Sequence, residues 1–465
     1  MQIINKKDIP NTLTVKIEKL SNLGLGIAKV DGYVIFIPNS CPGDVVRVKI
    51  TKKNKKFANA EIIEIVEPSA HRVEPICKMQ KVCGSCQLQF IDYKAQLLYK
   101  KEIVSDTMRS IYGSDVEVRD VIPSPEVMEY RHKIQYPIGQ TKESKRILAG
   151  YYKIGSHELV NIKHCPIQPE YCDRIIDFIR ENAQELNISG YDENSGRGDL
   201  RHVVIRSSYA NKKNLVVLVA NADRVSEKLK KLSHSIYSQL ENIQGVGVNL
   251  NHKKTNLILG EKTYILEGDG YIEENLCDKT FKIAPKTFFQ VNPASANNIF
   301  RYVKKYITDN FSEPTILDAY AGITAFGICM SDIASKVVSI EEVKESVELA
   351  KQIIDENRIT NIELHQGDAG KFFSEQSLLG RQFHLTILDP PRKGCSINSL
   401  DYALKLTKDK IIYVSCNPAT LARDLKYLKE KGAEVEYIQP FDMFPHTYHI
   451  ENVAIINLSE VCKSM

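Results

Sequence analysis

The sequence predicts a doubly wound α/β domain in its C-terminal part, preceded by a small β-barrel and a central α+β platform. Three observations carry this reading. From about Pro314 near-continuous apolar runs alternate with amphipathic helical stretches, the pattern of parallel strands covered on both faces. Residues 11–67 instead alternate polar and apolar over short stretches between turn signals, the pattern of a small antiparallel barrel. Residues 129–285 hold strand-like pieces with helices between them.

The barrel is read from Leu13-Thr-Val-Lys-Ile17 and Val45-Val-Arg-Val-Lys-Ile50, with turns at Asn22-Leu-Gly24, Asp31-Gly32 and Pro42-Gly-Asp44 and an exit at Glu67-Pro68. Small barrels of this kind often present a nucleic-acid-binding face. Within it Arg47, Lys49, Lys52, Lys53, Lys55 and Lys56 form a run with no acid between them. Such a run tracks phosphates or is simply a solvated face. A helix is expected from about Tyr93 to Ile111, and platform strands at Arg201–Arg206 and Asn214–Ala220.

The bulk numbers narrow the class. A chain of 465 residues, 43% apolar and 26% charged, is an ordinary globular protein with several cores, which excludes disordered and collagen-like classes. No apolar run approaches the roughly 18 residues of a membrane span, and Met1–Pro10 has no apolar signal-peptide core. The expectation is a cytoplasmic protein with no membrane partner. Eleven cysteines is many for that compartment, where disulfides are rare. Cys329, in Phe326-Gly-Ile-Cys-Met330, reads as a small buried hydrophobe. Cys77, Cys83 and Cys86 are spaced C-x5-C-x2-C, and Cys165 lies in His164-Cys-Pro-Ile167. Four thiolates hold either a tetrahedral zinc or a [4Fe–4S] cluster. Spacing alone leans to zinc, with free thiols the remaining reading.

The α/β strands are expected at Thr315–Asp318, Lys336–Glu341, Leu385–Leu388 and Ile411–Ser415, with a further strand ending at Gln366-Gly-Asp-Ala369. One helix carries Val343, Val347, Ala350 and Ile354; another carries Leu421, Leu425 and Leu428 and stops at Gly432. Open sheets of this type bind ligands at the carboxyl ends of their strands. Acids stand at three such ends, Asp318, Glu341 and Asp368, and together they point to a nucleotide-like ligand. In Asp389-Pro-Pro-Arg-Lys-Gly394 two prolines stiffen the loop that holds Asp389. Amino-group methylases usually place an aromatic after these prolines; Arg392 stands there, which argues against that class.

The fifth strand runs into Ser415-Cys-Asn-Pro-Ala-Thr-Leu-Ala-Arg-Asp424. Asn417 is a good helix cap and Pro418 a good first helical residue, so Cys416 lies at a helix N-terminus, where the dipole favours a thiolate. A thiolate of this kind activates C5 of a pyrimidine by adding to C6. The adduct must then lose its C5 proton to a base. Glu451, at the start of a terminal apolar strand, is the candidate base, with a strand-edge carboxylate the alternative. His446 and His449 lie nearby.

With these residues together the chain resembles the RNA 5-methyluridine methyltransferase family. It looks most like the branch acting on bacterial 23S ribosomal RNA that carries a TRAM domain and an iron–sulfur cluster. The most specific parts are the segments around Cys416 and Asp389, Phe288-Phe-Gln-Val-Asn292, and Phe444-Pro-His-Thr447 leading to Glu451. The resemblance implies an OB-like TRAM barrel at residues 8–69, a central α+β domain at 70–92 and 118–285, and a methyltransferase domain at 93–117 and 286–461. It implies S-adenosylmethionine held by Gln290, Tyr320, Glu341, Asp368 and Asp389. It makes Cys416 the nucleophile and Glu451 the base, and reverses the metal preference to a [4Fe–4S] cluster on Cys77, Cys83, Cys86 and Cys165, with zinc the alternative. The implied partner is RNA, most of all 23S rRNA, for a monomer with no obligate protein partner. The chain departs from the family in the glycine loop, where Thr324 replaces a second glycine and must avoid positive φ or accept strain.

Rival readings are a cytosine C5-methyltransferase, a transfer-RNA uridine methyltransferase and a non-catalytic iron–sulfur RNA-binding protein. The first needs an acid for cytosine N3, and the residues near Cys416 fit the uridine family better.

Overall fold

Strict alternation in the N-terminal strands buries Val15, Ile17, Ala28, Ile35, Ile37, Val46, Val48 and Ala58 as the barrel's interior. Six strands between Thr12 and Glu67 form one sheet. All pair antiparallel except Tyr33–Ile37 with Phe57–Glu67, which is parallel, a correction to the all-antiparallel expectation. The reason is a bend: register shifts at three places between Val45–Lys53 and Phe57–Glu67 curl that pair until its last strand meets Tyr33–Ile37. Lys49, Lys52, Lys55 and Lys56 face solvent, whereas Arg47 pairs with Glu64 at 2.8 Å. The computed structural model describes residues 9–459, so the expected outer limits Asp8 and Val461 lie outside the described residues.

The platform is a seven-stranded sheet running from Lys262–Gly268 at one edge to Leu159–Asn161 at the other. Alternation in Leu200–Ser207 and Asn214–Ala220 serves two cores. Val203, Ile205, Val216 and Leu218 meet the helices Glu170–Glu185 and Glu227–Gln239, while Val204, Leu215, Val217 and Val219 join the core of the α/β domain. The hairpin Ile272–Leu276 and Lys279–Ile283 also buries its apolar residues in that α/β core, on the far side of the expected limit at 285.

The C-terminal sheet has, in chain order, a first strand Thr315–Ala319, second Lys336–Glu341, third Ile362–Gln366, fourth Phe383–Leu388, fifth Thr407–Ser415, sixth Ala433–Phe441 and seventh Glu451–Leu458. Their spatial order is third, second, first, fourth, fifth, seventh, sixth. The first five are parallel and the seventh is antiparallel to both neighbours. The order reverses between the first and fourth strands, which opens a crevice at their carboxyl ends. The helix Tyr93–Thr107, capped by Asp92, continues as a wider turn to Tyr112 and packs Val104 and Met108 against Leu421, Leu425 and Leu428. Val118 and Ile122 then bridge to Ile438 and Phe441, covering the sheet's sixth strand. Val343, expected on the apolar face of its helix, instead stands before Lys344–Glu356 and is 51% exposed.

Candidate active site

The two most specific motifs turn out to hold each other. Asn417 accepts from the Ala419 N–H at 3.1 Å, capping the helix Pro418–Glu430, and donates to the Arg392 carbonyl at 3.3 Å. Thr420 donates to the same carbonyl at 3.2 Å, and Arg423 to the Lys393 carbonyl at 2.9 Å. Buried Asp424 accepts from the Cys395 N–H at 2.9 Å and from the Tyr413 hydroxyl at 2.7 Å. Gly394 sits at φ +76°, and a Cβ there would lie 2.5 Å from Asp424 Oδ2, so the close approach requires glycine. The loop after the fourth strand is thereby locked against the helix after the fifth. The sequence supplied these residues but not their pairing.

That lock brings the Arg392 guanidinium near Cys416, where its charge favours the thiolate. Burial pushes the Cys416 thiol up to about 11, Glu451 and Asp389 push the same way, and Arg392 opposes them. The expected helix N-terminus is present, but in the free protein burial outweighs it and holds the thiol form. Glu451 is buried and pushed up to about 8, by desolvation first and then by Asp389, again against Arg392. Burial pushes Asp389 up to about 7. Gln290, Asp389 and Glu451 line one pocket, walled by Phe300, Phe326 and Met443. His446 and His449 are both held down near 4 by burial, so they are neutral at pH 7.

Gln290 is placed from two sides. Buried Arg206 donates to the Pro285 and Thr287 carbonyls, and the His132 N–H donates to the Val291 carbonyl at 2.7 Å. Asn292 caps the helix Pro293–Asn310. Phe288, two residues from Gln290, is 63% exposed, an aromatic face open to solvent beside the pocket.

Tyr320, Glu341 and Asp368 do not line this pocket; they stand at the ends of the first, second and third strands. The Glu341 carboxylate accepts from the Gly322 and Val343 N–H groups, each at 2.8 Å. The Tyr320 hydroxyl meets Ser399 and Cys395. Asp368 caps the helix Ala369–Leu378 through the Lys371 N–H at 2.9 Å, and remains exposed. Asp318 does not face a ligand. It is buried, accepts from the Gly327 N–H at 3.0 Å and the Ser339 hydroxyl at 3.2 Å, and braces the glycine loop. Thr324 accepts the strain: its φ is +59°, it is fully buried, and its hydroxyl has no partner.

The segment leading to Glu451 is held carbonyl by carbonyl. Ser295 donates to Asp442 at 3.2 Å, Asn292 to Met443 at 3.1 Å, and Lys100 to Phe444 at 3.0 Å. Tyr130 donates to Pro445 at 3.0 Å, and the Leu88 N–H to His446 at 2.8 Å. Lys100 also forms a fully buried ion pair with Asp442 at 2.6 Å.

Cys77, Cys83 and Cys86, with Cys165 from a distant part of the chain, line a second pocket with Tyr151 and Gln80. Burial pushes the Cys86 thiol high and the Cys165 thiol up to about 12, and neighbouring thiols add to both. Among the described residues no three such side chains stand close enough to form a metal-holding group. The four thiols nonetheless line one pocket, and charge on any one of them is disfavoured by burial and by its neighbours. Cys329 is fully buried in the core, as expected of a small hydrophobe.

Comparison with known proteins agrees with this geometry. Residues 92–458 match the family described as tRNA (Uracil-5-)-methyltransferase, and residues 9–63 match the TRAM domain. A Halalkalibacterium halodurans protein named as an RNA methyltransferase is 38% identical over 98% of both chains. A Clostridium tetani protein of the same description is 36% identical over 97% of this chain and 98% of that one. Among solved structures, the Pyrococcus abyssi tRNA (uracil-54, C5)-methyltransferase in complex with S-adenosyl-L-homocysteine is 27% identical. It superposes with a TM-score of 0.76, covering 96% of this chain and all of that one.

Two outcomes follow for the free protein. Thr324→Gly should relieve about 1 kcal/mol of left-handed strain and remove the orphan hydroxyl, raising Tm by about 2–4 °C. An unchanged or lower melting point would mean that the threonine's packing outweighs its strain. The second concerns Glu451, whose carboxyl titrates near 4.5 ordinarily and near 8 here. The unfolded chain releases this proton first, so stability falls as pH rises through that window. At neutral pH the cost is on the order of 1–3 kcal/mol. Glu451→Gln should abolish that loss; equal falls in urea midpoint for both proteins between pH 5 and pH 9 would refute it.

Proposed function

The chain belongs to the tRNA (uracil-5-)-methyltransferase family and carries a TRAM domain, and from that premise we propose that it methylates C5 of a uridine in 23S ribosomal RNA through covalent catalysis by Cys416. It is an RNA methyltransferase that uses S-adenosylmethionine. The observation that carries the mechanism is the meeting of Cys416, Arg392, Glu451 and Asp389 where the carboxyl ends of the fourth and fifth strands meet the amino end of the antiparallel seventh.

S-adenosylmethionine, when bound, supplies an electrophilic methyl group on a cationic sulfonium. Gln290 and Asp389 in the pocket, with Tyr320, Glu341 and Asp368 at the neighbouring strand ends, are the residues that would hold it. Burial raises Asp389 and Glu451 well above ordinary carboxyls, and a positive charge entering their pocket favours the ionised form of both. Arg392 favours the Cys416 thiolate. The sulfur then bonds to C6 of the uracil, and the C5–C6 π electrons move onto the C4 carbonyl as an enolate. The enolate carbon C5 takes the methyl group. Glu451 removes the C5 proton, the double bond re-forms, and the C6–sulfur bond breaks to return the thiolate. Phe288 offers an exposed aromatic surface on which a displaced base can stack.

The TRAM barrel's solvated lysines and the cysteine pocket support ribosomal RNA as the substrate. The likeness to the Pyrococcus abyssi enzyme favours transfer RNA as a second reading. We assign the four thiols a [4Fe–4S] cluster, with zinc the alternative; the reaction transfers no electrons, so the group's contribution is structural. Either RNA substrate puts the enzyme's work in the cytoplasm. Among the described residues no helix is long and apolar enough to cross a membrane.

Cys416→Ala should abolish methyl transfer while RNA binding persists. Glu451→Gln should stall after methylation, leaving a protein–RNA adduct on a denaturing gel. Incubated with total cellular RNA, that variant should carry 23S rRNA; transfer RNA in the band would move the assignment to the second reading. Normal turnover by Glu451→Gln would remove it as the base. Protein purified without oxygen should be brown and contain iron and sulfide. A colourless protein with one zinc per chain would replace the cluster by the alternative.

A further inference from the structure

The cysteine pocket and the segment leading to Glu451 are joined through Tyr130. Tyr130 is 1% exposed, and its ring packs in the apolar cluster that contains Cys83 and Cys165. Its hydroxyl leaves that cluster and donates to the Pro445 carbonyl at 3.0 Å. The backbone on either side is tied to the pocket wall. Glu129 N–H donates to the Pro166 carbonyl at 3.0 Å and Arg131 N–H to the Ile167 carbonyl at 2.8 Å, directly after Cys165. A second tie comes from the Leu88 N–H, two residues past Cys86, which donates to the His446 carbonyl at 2.8 Å. His446 itself stands at φ +67°, a conformation that persists only where the surroundings impose it.

We propose that Tyr130 is a positioning residue for the catalytic base, coupling the wall of the cysteine pocket to the Pro445–Glu451 segment. This rests on the reading of Cys416 and Glu451 given above. Close packing makes the coupling stiff, because a shift of the pocket wall moves the ring and the ring carries the hydroxyl that holds Pro445. The pocket therefore contributes to the last chemical step without touching the RNA base. The order of events supplies a signature. Glu451 acts only after the carbon–sulfur bond has formed and the methyl group is in place. Displacing it leaves those steps intact and stalls elimination alone.

Tyr130→Phe keeps the ring and removes only the hydroxyl. The expected variant is folded, keeps its KM for RNA within about twofold, and loses about tenfold to a hundredfold in kcat, the usual effect of misplacing a reacting group by an ångström or less. During turnover it should accumulate a covalent protein–RNA band that carries the transferred methyl, which the wild-type protein does not. Wild-type kcat, or slow turnover without the band, overturns the proposal. Glu451→Gln run beside it separates the two failures. A band from Glu451→Gln but none from Tyr130→Phe sinks the coupling alone, whereas no band from either sinks the covalent mechanism on which it stands.

Discussion

Three acidic groups, Cys416, Glu451 and Asp389, share one desolvated corner of the sheet, where the Arg392 guanidinium opposes the upward shift of Cys416 and Glu451. Removing water from such groups favours their neutral forms, and each is displaced upward as that predicts. The corner is costly to the free protein and useful to the reaction. Burial biases a thiol and two carboxyls toward their neutral forms, and arriving positive charge shifts them toward the ionised forms that the proposed nucleophile and base require. A site of this kind withholds its reactivity until its ligands are present.

Holding the corner together requires rigidity from outside it. The mutual clamp between Asp424 and Gly394, with Asn417 and Thr420 on the Arg392 carbonyl, fixes the guanidinium's loop against the nucleophile's helix. On the other side, five donors from four separate parts of the chain grip successive carbonyls of Asp442–His446. A loop whose carbonyls are all occupied has little freedom to drift, and the carboxylate at its end inherits that precision. The platform sheet contributes in the same way, because its strands bury one face in the α/β core and send Arg206 and His132 to the segment carrying Gln290.

Much of this was legible in the chain. The five parallel strands, the cap and proline after Cys416, the stop at Gly432 and the strand Asn214–Ala220 follow from local periodicity and capping chemistry, which act over a few residues. Misreadings arose where local pattern meets a distant partner. Asp318 looked like a ligand-facing acid but is consumed by Gly327 and Ser339; Val343 looked like core but lies beyond its helix. The barrel's parallel closure came from bulges whose residues carry no distinctive signal.

The sequence by itself determined which groups stand at the strand ends as candidates for the chemistry, because a cysteine, a glutamate and a proline-stiffened aspartate there are properties of residue type and spacing. Only the tertiary structure decided their protonation, since burial and neighbouring charge belong to residues as far apart as Asp389 and Glu451. It also decided that four cysteines spread from Cys77 to Cys165 face one pocket, and that Tyr130 joins that pocket to Pro445. Solvent exclusion and long-range hydrogen bonding exist only once the chain has closed on itself, so no local pattern encodes them.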